Sequence, residues 1–178
     1  MGRVPRDTFS WELLRRDLGG SFTARARGLL ASEFDLLNPG GQKFGRLLLR
    51  GLSAAKFQSG DYSAAFETAG RRYRMVADGE EVLTAGLRGR SINELEISCD
   101  EQIYEARINL FRNLALVSYP GDERAVRLSG GLTGRSYEVF LAAEDGCALP
   151  VAVFLLWRIV EHRRRAYRMG SPTEGGAM

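Results

Sequence analysis

The feature that most constrains this chain is an apolar run near its C-terminal end, from Ala148 to Val160, with the sequence ALPVAVFLLWRIV. Its one charged residue is Arg158, and a helix built from the run would have no polar side. A helix that is apolar around its whole circumference must be enclosed by the rest of the protein. The run is also shorter than the roughly 20 apolar residues that cross a bilayer. It therefore predicts a buried core helix.

The residues around this run predict a helix over 149–168. Pro150 suits the first turn, and Glu144 and Asp145 place negative charge just before the helix N-terminus, where it is favourable. Arginines fill the last turns, and Gly170 is typical of a residue that ends a helix. We expect residues 170–178 to form a disordered tail.

The chain before this helix has the pattern of an all-β protein. Its glycines, 21 in the whole chain, recur with Asp, Asn and Ser at short intervals, and the runs between them alternate partly between apolar and polar residues. Asn38-Pro39-Gly40-Gly41 and Asp78-Gly79 are strong turn signals. The pattern predicts strands at Phe9–Arg15, Ser21–Arg27, Glu33–Leu37, Gln42–Leu49, Ala55–Phe57, Asp61–Glu67, Arg71–Ala77, Glu80–Ala85, Ile92–Ser98, Gln102–Leu110, Leu114–Tyr119, Arg124–Ser129 and Tyr137–Ala142.

The simplest fold for these elements is mainly β. We predict a closed antiparallel barrel of about twelve strands, or a sandwich, that encloses the apolar C-terminal helix. Closure would also remove the sheet edges that otherwise promote aggregation. No internal repeat or linker divides the chain, so residues 1–169 are expected to form a single domain.

This order of elements resembles the tubby C-terminal-like superfamily, which includes tubby proteins, phospholipid scramblases and LURP-one-related proteins. The matching features are glycine-punctuated strands, such as the run from Phe34 to Gly41, and the closing helix at Ala148 to Val160. The resemblance covers roughly Phe9 to Met169 and concerns architecture alone, because no diagnostic catalytic or binding motif is matched.

The resemblance implies a non-enzymatic domain that binds membrane phospholipids, because tubby proteins bind phosphoinositides and scramblases associate with bilayers. This chain departs from the family pattern in three ways. It has no acidic calcium-binding stretch of the scramblase kind and no cysteine-rich palmitoylation segment. No phosphoinositide-binding Lys/Arg pair aligns with it. No functional residue is therefore carried over.

Residues that could carry chemistry are few. His162 is the single histidine and is expected to be solvated at the end of the helix. Cys99 and Cys147 are expected to be buried structural thiols, since a bridge between them would be unusual in a reducing compartment. The paired carboxylates lie in predicted turns or on strand faces, and neither metal-ligand spacing nor a phosphate-binding loop is present. We predict no catalytic residue, no metal and no cofactor.

Location follows from the N-terminal residues, which have no apolar run behind them and so do not predict a signal peptide. We expect a cytoplasmic protein, in a position that allows peripheral contact with a membrane. The formal charge of +3 and the pI near 9.1 are only mildly basic, and the basic clusters lack interleaved aromatic residues. No nucleic-acid partner is expected.

Arginine clusters are the best indication of function. They comprise Arg71, Arg72 and Arg74, then Arg88 and Arg90, and then Arg163 and Arg164, with Arg165 and Arg168 beyond. Such groups bind phosphates or an anionic membrane surface, although a solvated face and a helix-dipole complement would give the same pattern.

We predict a binding or scaffold domain that contacts anionic phospholipid or a phosphorylated ligand through these arginines. The alternative is a small-molecule carrier with an apolar cavity in the barrel, and an enzyme is a third, less favoured reading. Whether side chains of the helix fill the lumen separates the first two.

Overall fold

The computed structural model describes residues 9–51, 53–121, 123–142 and 144–169; the predicted tail at 170–178 lies outside them. A short helix, α1 (Trp11–Asp17), comes first, and a long helix, α2 (Ala148–Met169), comes last. Between them lie β1 (Ser21–Arg27), β2 (Glu33–Leu37), β3 (Lys43–Arg50), β4 (Ala54–Ser59), β5 (Tyr62–Ala69), β6 (Arg72–Ala77), β7 (Glu80–Leu87), β8 (Glu94–Cys99), β9 (Gln102–Asn109), β10 (Leu114–Ser118), β11 (Arg124–Gly130) and β12 (Ser136–Leu141).

The twelve strands form one closed antiparallel barrel. Each strand pairs with its neighbours in sequence, and β1 closes the ring by pairing with β12, with Phe22 opposite Val139. The prediction of a closed barrel is confirmed, and the sandwich alternative is not what the chain adopts. Closure leaves none of these strands with an unpaired edge.

Strand β6 shows how the sequence pattern selects the face of each side chain. Tyr73, Met75 and Ala77 point into the barrel and are buried, whereas Arg72 and Arg74 point outward. The hairpin that follows turns through Asp78 and Gly79, both with positive φ (52° and 81°). This is the backbone that a two-residue hairpin of this kind needs, and glycine adopts it without strain.

Helix α2 fills the lumen of the barrel. Every residue from Ala148 to Glu161 is buried, and the indole ring of Trp157 lies 5.2 Å from the ring of Phe66 on the barrel wall. The prediction of a core helix is confirmed. Among the described residues, no helix has both the length and the apolar character needed to cross a membrane.

The one charge in the apolar run is neutralised inside the barrel. The guanidinium of Arg158 forms an ion pair with Glu161, donates a hydrogen bond to the Tyr73 hydroxyl at 3.0 Å and stacks on the Tyr73 ring. Glu161 also accepts a hydrogen bond from Arg165 at 2.6 Å. Burial lowers the pKa of Arg158 and raises the pKa of Glu161. The pair and its hydrogen bonds offset the cost of removing two charges from water.

The predicted first strand at Phe9–Arg15 is wrong, because these residues lead into and begin helix α1. Ser10 caps the helix, and its hydroxyl accepts a hydrogen bond from the Leu13 amide at 3.3 Å. Trp11 is partly buried, stacks on Phe57 with ring centroids 4.9 Å apart and donates to the Tyr62 hydroxyl at 3.1 Å. Ser10 is a typical N-cap residue and indicated a helix, but the alternating apolar residues favoured a strand in the sequence prediction.

The two cysteines are joined, contrary to the prediction of free thiols. A disulfide connects Cys99, at the end of β8, to Cys147, which immediately precedes α2. Their Cα atoms are 6.0 Å apart although 48 positions separate them in sequence. A reducing compartment would keep the two thiols apart chemically, but the barrel brings both residues to the same place.

The barrel has two ends, which we name by their charge. The arginine rim is the end where α2 leaves the barrel, and the acidic rim is the end where α2 begins. In the described part of the chain, the arginine rim is formed by the loop residues 28–32, 51, 53, 70–71, 88–93, 110–113 and 131–135. The acidic rim is formed by the loop residues 38–42, 60–61, 78–79, 100–101, 119–121, 123, 142 and 144–147.

Candidate anion-binding surface at the arginine rim

The two rims carry opposite charge. The described residues of the arginine-rim loops include no aspartate or glutamate, and four of the six loops contain arginine: Arg71, Arg88, Arg90, Arg112 and Arg135. The described acidic-rim loops contain no lysine or arginine and carry Asp61, Asp78, Asp100, Glu101, Glu123, Glu144 and Asp145. The barrel is therefore polarised along its axis, and its positive end favours the approach of anions.

Helix α2 adds further arginines to the arginine rim as it emerges. Arg163 and Arg164 lie in the first turn outside the lumen and are partly buried, whereas Arg168 is exposed. The Arg163 Nη2 donates a hydrogen bond to the Leu132 carbonyl at 2.9 Å, which ties the helix to the loop at 131–135. Arg163 is therefore a bracing residue as well as a positive charge.

A cleft of about 400 Å³ lies between the end of α2, the loop at 28–32 and the loop at 131–135. Four arginines line it and no carboxylate does; the four are Arg135, Arg163, Arg164 and Arg168. The Nη1 of Arg164 is shielded from solvent and makes no hydrogen bond. We name this site the helix-end cleft. An anion placed there would meet guanidinium groups without competing carboxylates.

The side chain of Arg135 shapes the other wall of the cleft. Its guanidinium donates to the carbonyl oxygens of Gly28 and Leu29 at 2.6 and 3.2 Å. The loop at 131–135 is thereby fixed to the loop at 28–32. The walls of the helix-end cleft are held together before any ligand binds, which reduces the entropy cost of binding.

A second group of predicted arginines lies on the outer wall of the barrel. Arg71, Arg72, Arg74 and Arg88 line a shallow groove of about 660 Å³ over β6, β7 and β8. Gly86 forms part of its floor, where an added Cβ would meet open space. The structure thus brings together four arginines that the sequence placed in two clusters.

The charges of this groove are largely balanced by carboxylates. Arg74 forms an ion pair with Glu67 at 2.6 Å, and Arg88 forms one with Glu105 at 2.6 Å. Glu81 and Glu96 also line the groove. An anion would have to compete with these groups, so the groove is a weaker anion site than the helix-end cleft.

Of the remaining residues, Arg90 lies in the same loop as Arg88 but does not line the groove. Arg135 belongs to the helix-end cleft but was not among the predicted arginines, whereas Arg168, which also lines the cleft, was grouped with Arg163 and Arg164 in the sequence. Arg168 follows Arg164 by four positions, a spacing that places both side chains on one helix face. Arg135 gave no such signal, because its position depends on the pairing of distant strands.

The expectation that His162 is solvated is wrong. Its side chain is partly buried, and its Nε2 lies 2.9 Å from the Nη2 of Arg158. Burial, together with the positive charges of Arg158 and Arg165, lowers the pKa of His162 to about 4. The imidazole is neutral at pH 7 and accepts a hydrogen bond from the buried guanidinium of Arg158. Its role is therefore to satisfy this buried charge from the side of the arginine rim.

At the acidic rim, Asp145 organises the start of α2. Its carboxylate accepts hydrogen bonds from the amides of Cys147 and Ala148, both at 2.9 Å, and from the hydroxyls of Tyr104 and Tyr119. Burial and the nearby carboxylate raise the pKa of Tyr119 to about 12 and raise that of Tyr104 further. Both tyrosines are therefore held as neutral donors and stabilise the helix cap.

Metal-ligand residue types also meet at the acidic rim. The ligand atoms of Cys99, Asp100 and Cys147 lie within 4.8 Å of one another. A metal would need the cysteines as thiolates, and the disulfide removes both of them from that role. In this oxidised form the cluster is a cross-link between the barrel and α2.

The fold defined by these observations is a closed twelve-stranded barrel threaded by a C-terminal helix. No family model matches the chain, and no curated protein matches it significantly. Among solved structures it is similar to the X-ray structure of a protein from Arabidopsis thaliana, with a TM-score of 0.54 and 11% sequence identity. The match covers 79% of this chain and 91% of the other chain. At this identity the similarity shows the fold alone.

Proposed function

We propose that the protein is a non-enzymatic binding domain of the tubby C-terminal-like superfamily, and that it binds the phosphate groups of an anionic ligand in the helix-end cleft. One observation carries the proposal: four arginines line this cleft, and no carboxylate does. Arginine offers paired N–H donors that match the oxygens of a phosphate group. The twelve-stranded barrel with a central helix supports the superfamily assignment.

The filled lumen supports surface binding over the alternative of a small-molecule carrier. Phe154 and Trp157 are fully buried at the centre of the barrel, where they pack against the rings of Phe66 and Tyr73. A carrier needs an apolar cavity of several hundred Å³ in the position that these side chains occupy.

Calorimetric titration with tripolyphosphate, a soluble polyanion, tests the proposal. We expect the protein to bind it, and the double variant Arg164→Gln/Arg168→Gln to bind at least about tenfold more weakly, because two phosphate-facing charges are lost. The matched control is Arg72→Gln/Arg74→Gln, which removes two arginines of the outer groove. Its affinity should stay close to that of the unmodified protein. Equal losses in both variants, or a loss in the groove variant alone, would overturn the assignment to the helix-end cleft.

A location on the cytoplasmic side of a membrane, in peripheral contact with it, is part of the proposal. The disulfide between Cys99 and Cys147 is the observation that weighs against a reducing compartment. Quenching cells directly in denaturant that contains a thiol-alkylating reagent tests the location, because both cysteines are buried in the folded protein. Two alkylated cysteines agree with a cytoplasmic protein, and none with an oxidising compartment.

A further inference from the structure

Exposed apolar side chains are concentrated at the arginine rim. Among the described residues, every large hydrophobic side chain that is more than four-fifths exposed lies there; these are Leu29, Leu30, Phe111 and Leu132. Leu29 is 94% exposed and Leu132 is 98% exposed. Exposing leucine and phenylalanine side chains to water at loop tips is unfavourable, so this concentration indicates a contact surface.

The four side chains lie on neighbouring loops. The loops at 28–32, 131–135 and 110–113 follow one another around the rim, because β1 pairs with β12, and β11 pairs with β10. Tyr167 of α2, which is 65% exposed, emerges beside them. We name the four residues Leu29, Leu30, Phe111 and Leu132 the apolar tips.

The loops that carry the apolar tips are braced to one another. Arg135 holds the loop at 28–32 through two hydrogen bonds. The Asn113 side chain donates to the Gly131 carbonyl at 2.9 Å, and the Gly130 amide donates to the Asn113 carbonyl at 2.8 Å. The tips are thus presented outward by a connected framework, and packing them away under the rim would break these hydrogen bonds.

The charge around the tips selects the partner. The described loops of this rim carry arginines and no carboxylate, and Arg163, Arg164 and Arg168 surround the emerging helix. Apolar groups with arginines beside them complement a surface with an apolar interior and a negative layer above it. An anionic lipid bilayer has this organisation. A second copy of the same rim would instead place like charges together.

We propose that the arginine rim docks on the surface of an anionic phospholipid bilayer, with the apolar tips inserted at the boundary between headgroups and acyl chains. The inference rests on the proposed function, since the helix-end cleft would hold a lipid phosphate between the tips. The barrel axis then stands along the membrane normal. The acidic rim points away from the lipid, where its carboxylates avoid the negative surface.

Flotation with lipid vesicles tests the docking surface. We expect the protein to float with phosphatidylcholine vesicles that contain phosphatidylserine and to remain largely unbound with phosphatidylcholine alone. The variant Leu29→Ser/Phe111→Ser/Leu132→Ser should partition at least about tenfold more weakly, because inserted apolar area is lost. The matched control, Leu13→Ser/Ile103→Ser, changes two half-exposed apolar residues away from this rim and should float like the unmodified protein.

A fluorescence measurement tests insertion directly. The variant Leu132→Trp places an indole at a tip, whereas the native Trp11 at the acidic rim and Trp157 in the lumen are internal references. Brominated acyl chains should quench the added tryptophan in anionic vesicles and leave the emission of the unmodified protein nearly unchanged. Binding without quenching would overturn insertion and leave a purely electrostatic contact.

The two proposals fail in different ways. If the triple tip variant binds tripolyphosphate normally but loses vesicles, both hold. If the unmodified protein binds tripolyphosphate, and the tip variant floats with vesicles to the same extent as the unmodified protein, the bilayer inference is wrong and the proposed function stands. If the unmodified protein does not bind tripolyphosphate, the proposed function is wrong. A change in oligomeric state of the tip variant, measured by light scattering, would indicate a second copy as the occupant and overturn the bilayer.

Discussion

The two ends of the barrel are built for different purposes. At the acidic rim, helix α1, the disulfide and Asp145 close the barrel around the start of α2. At the arginine rim the loops leave leucine and phenylalanine side chains in water, and the helix leaves the lumen with a cluster of arginines. At the closed end the Asp145 carboxylate is satisfied internally by two amides and two tyrosine hydroxyls. The open end exposes apolar side chains beside arginines, and this difference is the basis for proposing it as the binding end.

Helix α2 connects the two ends, so the largest expected effect comes from its centre. Phe154→Asp would bury a charge without a partner, at a cost of several kcal/mol. Because domains of this size are stable by only about 5–15 kcal/mol, we expect no folded protein and the loss of both rims together. Circular dichroism and thermal unfolding measure the outcome. Phe154→Leu, which keeps an apolar residue, should fold with a lower melting temperature. A folded Asp variant would show that α2 does not fill the lumen.

Removing the disulfide should lower stability through the acidic rim and leave binding at the arginine rim unchanged, which distinguishes the two ends. The double variant Cys99→Ala/Cys147→Ala frees a loop whose ends lie 48 positions apart, and chain-entropy arguments give a loss of up to about 4 kcal/mol in the free energy of unfolding. Tripolyphosphate binding at the arginine rim should be unchanged wherever the variant is folded. Denaturant unfolding with and without reductant makes the measurement. If reductant does not change the free energy of unfolding of the unmodified protein, the disulfide does not contribute to its stability.

The variant Asp145→Ala should also destabilise the acidic rim, but by less than removal of the disulfide does. It removes the acceptor for two amides at the start of α2 and for two tyrosine hydroxyls. We expect a loss of about 1–3 kcal/mol, and the same binding at the arginine rim. Glu144→Ala, a neighbouring carboxylate, is the control and should have little effect on urea unfolding. Similar losses in both variants would indicate a general charge effect in place of the cap.

The smallest effect is the pH dependence that His162 confers near the arginine rim. Its pKa is about 4 in the folded protein and about 6.5 when unfolded. Between these values the unfolded chain binds a proton that the folded chain does not, so stability falls as pH drops from about 6.5 to about 4. Partial exposure limits the effect to about 2 kcal/mol. Glu161, which also faces Arg158 and has a raised pKa, opposes this trend.

The variant His162→Gln isolates the histidine from its neighbours, because Glu161, Arg158 and Arg165 are present in both proteins. We expect its free energy of unfolding to decrease less than that of the unmodified protein between pH 7 and the lower end of this range. Parallel pH profiles for the two proteins would show that His162 is protonated in the folded state and that its contact with Arg158 is not maintained.

Local patterns predicted much of the fold. The alternation of Phe22, Ala24 and Ala26 predicted β1 with its observed bounds, and the apolar run before Glu161 predicted the core helix. Patterns failed at Phe9–Arg15, where apolar residues at alternate positions also fit a helix and the cap at Ser10 decided between the two. The site was predicted only in part, because the sequence showed where arginines are but not which of them lack an ion-pair partner.

The sequence by itself determined the barrel class, the central helix and the excess of arginine, because these depend on periodicity and composition along the chain. Only the tertiary structure decided which arginines lie beside carboxylates and which do not. Strand pairing placed Glu67 beside Arg74, while loop closure left Arg164 and Arg168 without a carboxylate in the helix-end cleft. The same closure gathered Leu29, Phe111 and Leu132 at one end. Charge pairing and exposure depend on distances between residues far apart in sequence, and folding alone sets those distances.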